Sequence, residues 1–149
     1  MMATSAGSAI SASAACPCGS GRKYKRCCGP LHQGQAAKSP EALMRSRYSA
    51  YALGLIEYVI ETTHPRCALA RRDRLTWARE IADFCTHTRF EALEVLAAAA
   101  EGDRGEVSFR AQLSRDGRDV SFAERSTFVR EPAGAGGRWL YLDGDLLDS

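Results

Sequence analysis

Four cysteines fall within thirteen positions of Cys16-Pro17-Cys18-Gly19-Ser20-Gly21-Arg22-Lys23-Tyr24-Lys25-Arg26-Cys27-Cys28-Gly29. They form a C-x-C pair and a C-C pair, joined by an eight-residue loop that contains two glycines. Zinc takes four sulfur ligands tetrahedrally, each near 2.3 Å. A tight pair on each side of a turn that glycine permits can gather four thiolates around one ion without the rest of the chain. Four thiolates and a divalent ion leave an excess negative charge, which Arg22, Lys23, Lys25 and Arg26 are placed to offset while lowering the thiol pKa values. Cys16, Cys18, Cys27 and Cys28 are therefore the predicted metal ligands, with Zn2+ as the cofactor. A redox site or disulfide is the competing reading, although adjacent Cys27 and Cys28 make an awkward bridge.

The remainder must supply a core. At 149 residues and 45% hydrophobic composition, the chain has room for one ordinary globular domain and a small appendage. Its longest apolar stretch, Val95 to Ala100, is far shorter than the roughly 20 residues that span a bilayer, so no membrane partner is expected. Met1 to Ala15 are small and polar and lack the basic start and leucine-rich run of a secretory signal; they read as a disordered tail. Ser13-Ala14-Ala15-Cys16 has the look of a lipoprotein cleavage site but not the preceding regions that such a site requires. Six cysteines without a secretion signal favour a reducing compartment, here the cytoplasm, and Cys67 and Cys85 read as small buried hydrophobes.

Net charge is only +2, and setting the four loop cations aside from 20 basic residues leaves 16 against 18 acidic ones. The positive charge is local to the loop. Nucleic-acid contact through Arg22 to Arg26 is a possible use of it, but the scarcity of other clustered basic residues weighs against that reading.

The string Cys16 to Gly29 resembles the SEC-C motif found at the end of the SecA translocation ATPase and in many small bacterial proteins. The resemblance implies zinc held by Cys16, Cys18, Cys27 and Cys28, the last position being histidine in some relatives. His32 lies near enough in sequence to serve as a substitute ligand. In SecA-like proteins the knuckle engages partner proteins, which implies a protein partner for the face carrying Arg22, Lys23, Lys25 and Arg26. The alternative is that the knuckle only folds the N-terminus.

Residues 30–38 read as a linker. Ser39 is then a good N-cap, Pro40 suits the first helical position and Glu41 complements the dipole. Met44, Tyr48, Tyr51 and Leu55 follow at helical spacing, with a break near Gly54. Ile56, Val59, Ile60 and Thr63 make a second short helix ending at His64-Pro65. A third is predicted from about Arg71 to Phe84, with Leu75, Ala78, Ile81 and Cys85 on its core side and Trp77 flanking it. The period then changes to two. Arg89 to Ala100 is a predicted strand; Val107, Phe109, Ala111 and Leu113 mark the next; Asp116-Gly117 turns the chain into a third with Val120, Phe122 and Phe128; Arg138 to Asp143 is the last.

Three helices followed by four antiparallel strands predict an α+β fold, helices packed on a curved sheet that can wrap into a cone. This order resembles the nuclear-transport-factor-2-like fold, whose cone often contains a pocket. With the knuckle, the strings Leu43-Met44-Arg45-Ser46-Arg47-Tyr48-Ser49-Ala50-Tyr51 and Gly137-Arg138-Trp139-Leu140-Tyr141-Leu142-Asp143-Gly144 resemble the YchJ family. That resemblance implies a fold and a zinc site but no reaction. The organisation expected is a tail at 1–15, the knuckle at 16–29, a linker at 30–38 and the cone domain at 39–149.

Glu124 and Ser126 share the strand phase of Phe122 and Phe128, so a carboxylate stands where an apolar side chain belongs. A pocket for a small polar ligand would explain it, with Arg47, Tyr48, Tyr51, His64, Trp77, Trp139 and Tyr141 as neighbours. A β-bulge that shifts the phase, or a buried Glu124–Arg47 ion pair, would explain it equally. If the pocket is catalytic, in the manner of isomerases and dehydratases of related cone folds, His64 with Glu124 is the acid-base couple. No phosphate-binding glycine loop, nucleophile elbow or H-E-x-x-H helix is present. The leading expectation is a zinc-binding accessory protein that contacts another protein through the knuckle, with the cone as scaffold or ligand pocket.

Overall fold

The computed structural model describes residues 10–147. Residues 1–9 of the expected tail lie outside this range, but residues 10–15 are not a tail. The Ala14 and Ala12 carbonyls accept hydrogen bonds from the Tyr24 and Lys25 amides, at 2.8 and 3.0 Å, so the chain is pinned before it reaches Cys16.

A 3-10 turn at Tyr24–Arg26 leads into α1 (Cys28–His32). This helix occupies the start of the expected linker. Pro30 falls within its first turn, where a missing N–H leaves no helical bond unmade, so the short apolar segment continues the knuckle. The three expected helices follow: α2 (Pro40–Leu53), α3 (Ile56–Glu61) and α4 (Arg74–His87). Ser39 caps α2 by accepting from the Ala42 amide at 3.1 Å, and Gly54 ends it in the left-handed region at φ 74°. Asp73 caps α4 through the Thr76 amide, so the helix starts three residues later than expected, after a 3-10 turn at Ala68–Arg71.

The sheet comprises β1 (Thr88–Glu101), β2 (Arg104–Arg115), β4 (Phe122–Glu131) and β5 (Arg138–Leu146), antiparallel in the order β1-β2-β4-β5. A two-residue β3 (Arg118–Asp119) pairs with β2 alone. Asp116 and Gly117 both adopt positive φ, 53° and 77°, as the tight hairpin requires. That hairpin closes early, which corrects the placement of Val120: it lies between β3 and β4 and is 39% exposed. Register shifts at Phe90/Ala92 and Val95/Ala97 in β1 and at Thr127/Phe128 between β4 and β5 add the local twist that curves the sheet. The outer edge of β5 is partly covered by the end of α3, where the Tyr141 amide donates to the Thr62 carbonyl and the His64 amide to the Tyr141 carbonyl, both at 2.8 Å.

Leu43, Met44 and Tyr48 of α2 pack into the concave face against Val107, Phe109, Phe128 and Trp139. A second cluster, Ala50, Val59, Ile60, Trp77 and Ile81, joins α2, α3 and α4. Leu75 is not on the core side of α4: it is 59% exposed, whereas Trp77 and Ile81, one turn apart, are buried. The bulky indole at position 77 sets the face that turns inward, and Leu75 is left outside it. Four helices and an antiparallel sheet thus make the α+β fold, with the concave face only partly filled. Among the described residues no helix is long and apolar enough to cross a membrane.

Candidate metal centre and cone cavity

The sulfurs of Cys16, Cys18, Cys27 and Cys28 lie within 4.8 Å of one another. A tetrahedral ion with sulfur near 2.3 Å holds its ligands about 3.8 Å apart. Cys18 and Cys27 are 3.5 Å apart and Cys27 and Cys28 4.0 Å, so the donor set and its spacing suit a bound metal. Cys16, Cys18 and Cys28 are buried. Hydrogen bonds from the Cys16 and Cys28 thiols hold Cys18 well below the ordinary thiol range. The bond to Cys18 pushes Cys16 up to about 11, and the bond to Cys16 pushes Cys28 up. Crowded sulfurs resist ionising together until a cation joins them. No pair is at bonding distance in a disulfide; all six cysteines are free.

Around this centre the chain builds a rigid seat. The Cys16 amide donates to the Arg22 carbonyl at 2.9 Å, closing the loop. The Ser20 hydroxyl stands 3.1 Å from Cys27 Sγ, and Leu93 of β1 packs on the cluster. Arg45 of α2 donates to the Cys18 carbonyl at 3.0 Å. His32 is not a substitute ligand. Its Nε2 faces the Ser46 carbonyl of α2 at 2.8 Å and must carry the proton, so Nδ1 accepts from the Tyr24 hydroxyl at 2.6 Å. Its ring meets Tyr58 of α3 edge-on at 4.7 Å, and Tyr58 in turn reaches the Ser46 hydroxyl at 2.7 Å. Burial holds the His32 pKa below the usual imidazole value. The knuckle is therefore docked on the helices rather than hung from a linker. Sequence spacing gave no sign of this joint, because its members lie far apart along the chain.

Arg22, Lys23, Lys25 and Arg26 are all exposed, and among the described residues none of them forms an ion pair. They sit on the loop whose two ends are the cysteine pairs.

Beneath α2 and α4 the concave face leaves a cavity of about 450 Å³, and Arg47, Tyr48, Tyr51, Trp77, Glu124 and Ser126 line it together with Tyr141 and several phenylalanines. The phase argument holds: β2 and β4 pair without interruption from Gly105 and Phe128 to Ala111 and Phe122, so no bulge on that side turns Glu124 outward. Glu124 Oε2 accepts from the Ser126 hydroxyl at 2.6 Å and from the Tyr141 hydroxyl at 3.4 Å. The expected alternative of a Glu124–Arg47 ion pair is not formed. Arg47, 6% exposed, donates through one nitrogen to the Val59 carbonyl and the Thr62 and Thr63 hydroxyls, at 2.9, 2.7 and 3.1 Å, and its guanidinium lies 4.6 Å over the Tyr141 ring. Burial, with the Glu124 charge as second cause, raises the Tyr141 pKa, and burial likewise raises that of Tyr51. Both hydroxyls stay protonated at neutral pH.

Two expected members of the pocket are elsewhere. His64 does not line the cavity; its Nδ1 accepts from the Arg66 amide at 3.0 Å and its Nε2 stands 3.7 Å from Glu131 on the outer side. The His64–Glu124 couple is thus not assembled, because the chain after α3 runs along the edge of β5 and carries His64 away with it. Trp139 is buried in the core, with the Arg130 guanidinium 5.0 Å over its ring, and likewise does not line the cavity. A residue that sequence reasoning missed is Gly144, opposite Ser126 in the sheet. A Cβ there would stand 2.2 Å from Glu124 Oε2 and 2.8 Å from the Tyr141 hydroxyl, so the missing side chain makes room for the carboxylate. The only sequence signal was the Asp-Gly-Asp interruption of an otherwise regular strand.

Known proteins share both parts. Residues 39–144 match the family described as YchJ, middle NTF2-like domain, and residues 13–30 match the SEC-C motif. A UPF0225 protein of Vibrio parahaemolyticus is 43% identical over 131 residues, covering 87% of this chain and 73% of that protein. A UPF0225 protein of Cupriavidus pinatubonensis is 43% identical over 136 residues, covering 89% and 88%. The solution structure of a SEC-C motif containing protein from Rhodopseudomonas palustris is 40% identical, with a TM-score of 0.74, and covers 91% of this chain and 100% of that one. A ketosteroid isomerase-like protein from Erwinia carotovora, 16% identical, has a TM-score of 0.52 over 76% of this chain and 97% of that one and shares the fold alone. A SEC-C knuckle docked on an NTF2-like cone, together with relatives matched along most of their length, makes this chain a member of the YchJ (UPF0225) family.

Proposed function

We propose that this is a zinc-binding accessory protein of the cytoplasm that grips an acidic surface of a partner protein through its basic knuckle. The observation that carries this reading is that Arg22, Lys23, Lys25 and Arg26 form no ion pair among the described residues, four exposed cations on a loop bounded at both ends by the clustered cysteines. Zinc suits four thiolates in tetrahedral array and brings no redox chemistry of its own; what it supplies is a fixed loop shape. The chain's residues do the rest. Cys16, Cys18, Cys27 and Cys28 hold the ion, His32 and Arg45 lock the knuckle to α2, and the cations steer and orient the partner. A loop held rigid before association loses little freedom on binding.

The test is double charge reversal, Lys23→Glu with Lys25→Glu, in cross-linking capture from cells. The expected result is that proteins enriched by the wild type are lost while zinc stays at one per chain. Unchanged capture by the reversed protein refutes the reading. Binding to bare nucleic acid that weakens steeply with salt would instead assign the loop to phosphates.

A further inference from the structure

We infer that the cone cavity is a binding site for a small organic amine, its ammonium seated on Glu124 and its apolar body held between the aromatic walls.

The cavity, about 450 Å³, falls within the range of roughly 300 to 1,000 Å³ in which small-molecule sites lie. Three charged residues line it: Arg47, Glu80 and Glu124. Glu80 is at the rim and is paired with Arg72. Arg47 is turned toward the end of α3, where a carbonyl and two threonine hydroxyls accept from its Nη1, and its flat face rests on Tyr141. Neither Arg47 nor Glu124 has a counterion among the described residues, but Arg47 is engaged by those neutral acceptors and Glu124 is the one free to take a cation. Ser126 and Tyr141 both donate to the same oxygen, Oε2, and both are neutral. Oε1 has no hydrogen-bond donor among the described residues.

A carboxylate in such a setting selects its ligand by charge. An ammonium on Oε1 adds charge–charge attraction to its hydrogen bond, which a hydroxyl on the same carboxylate lacks, and Oε1 repels a ligand carboxylate. The walls point the same way. Tyr51, Trp77, Phe84, Phe109 and Phe122 line the space, and aromatic rings attract a cation placed over them within about 6 Å of their centres. Gly144 is an independent sign that the carboxylate is placed there deliberately, since any side chain at that position would fill the space Glu124 occupies. This site does not depend on the knuckle.

Three probes of one shape separate the ligand classes: tryptamine, its alcohol counterpart tryptophol, and indole-3-propionate. Titration of the full zinc-loaded chain by calorimetry should show tryptamine binding at least about tenfold tighter than tryptophol, with the propionate weakest. Glu124→Gln should erase the amine's advantage while zinc content and the NMR spectrum of the core remain unchanged. Gly144→Ala, which crowds the carboxylate without removing it, should weaken tryptamine more than tryptophol. Equal binding of amine and alcohol, tighter binding of the propionate, tryptamine affinity unaltered by Glu124→Gln, or no binding of any probe at millimolar concentration overturns the assignment.

Discussion

The Tyr24 hydroxyl donates to His32 Nδ1 across 2.6 Å, and that bond ties the knuckle's own loop to the histidine that grips α2. Tyr24→Phe leaves a half-buried imidazole nitrogen without its donor, a loss of about 1 to 3 kcal/mol. Urea unfolding should report it as a lower midpoint with an unchanged slope, and zinc should remain bound in the folded protein.

Because burial lowers the His32 pKa from 6.5, the folded protein favours the neutral ring. The unfolded chain then takes up the proton first, so stability contributed by the neutral ring is complete above pH 6.5 and falls as pH drops below it toward the folded value. Stability measured against pH should decline over that window in the wild type and decline less in His32→Asn, with zinc content measured in parallel.

Metal binding should release protons. Cys16, pushed up to about 11, and Cys28, also raised, hold their protons at neutral pH without a cation and lose them to become ligands. Zinc added to reduced, chelator-stripped protein in weak buffer should acidify the solution. Cys28→Ser should reduce both the proton yield and the affinity.

Two apolar residues of α4 should respond in opposite ways. Ile81 is 4% exposed and Leu75 is 59% exposed. Ile81→Ala should cost about 2 to 5 kcal/mol by opening space in the helical cluster. Leu75→Ala should change stability by no more than about 0.5 kcal/mol. Chemical denaturation of the two variants decides between the faces.

Arg47→Met removes the donor that satisfies Val59, Thr62 and Thr63 and the cation over Tyr141. The Thr63 hydroxyl still donates to the Val59 carbonyl at 2.8 Å, so the loss is that of the charge-assisted bonds to the guanidinium, about 1.5 to 3 kcal/mol. The same variant should not shift the pH dependence of amine binding as a lost ion-pair partner of Glu124 would.

What the sequence disclosed follows the range of each interaction. The cysteine cluster was legible because all four residues lie in one short segment, and β2 was legible because its alternation of buried and less buried residues is unbroken from Val107 to Leu113. Glu124 and Ser126 could be placed on the inner face for the same reason. Leu75 misled because an apolar residue at helical spacing says nothing of which stripe a neighbouring tryptophan commands. His64 misled because Pro65 marks where a helix stops but not the direction in which the chain departs. The His32 joint and the space left by Gly144 were hidden, since each depends on an atom contributed by a segment many residues away.

The grip of His32 and Arg45 on α2 has a mechanical consequence. That helix also carries Tyr48 and Tyr51 into the cavity wall. A partner bound at the cationic tip would therefore keep a fixed bearing toward the cavity that α2 helps to wall.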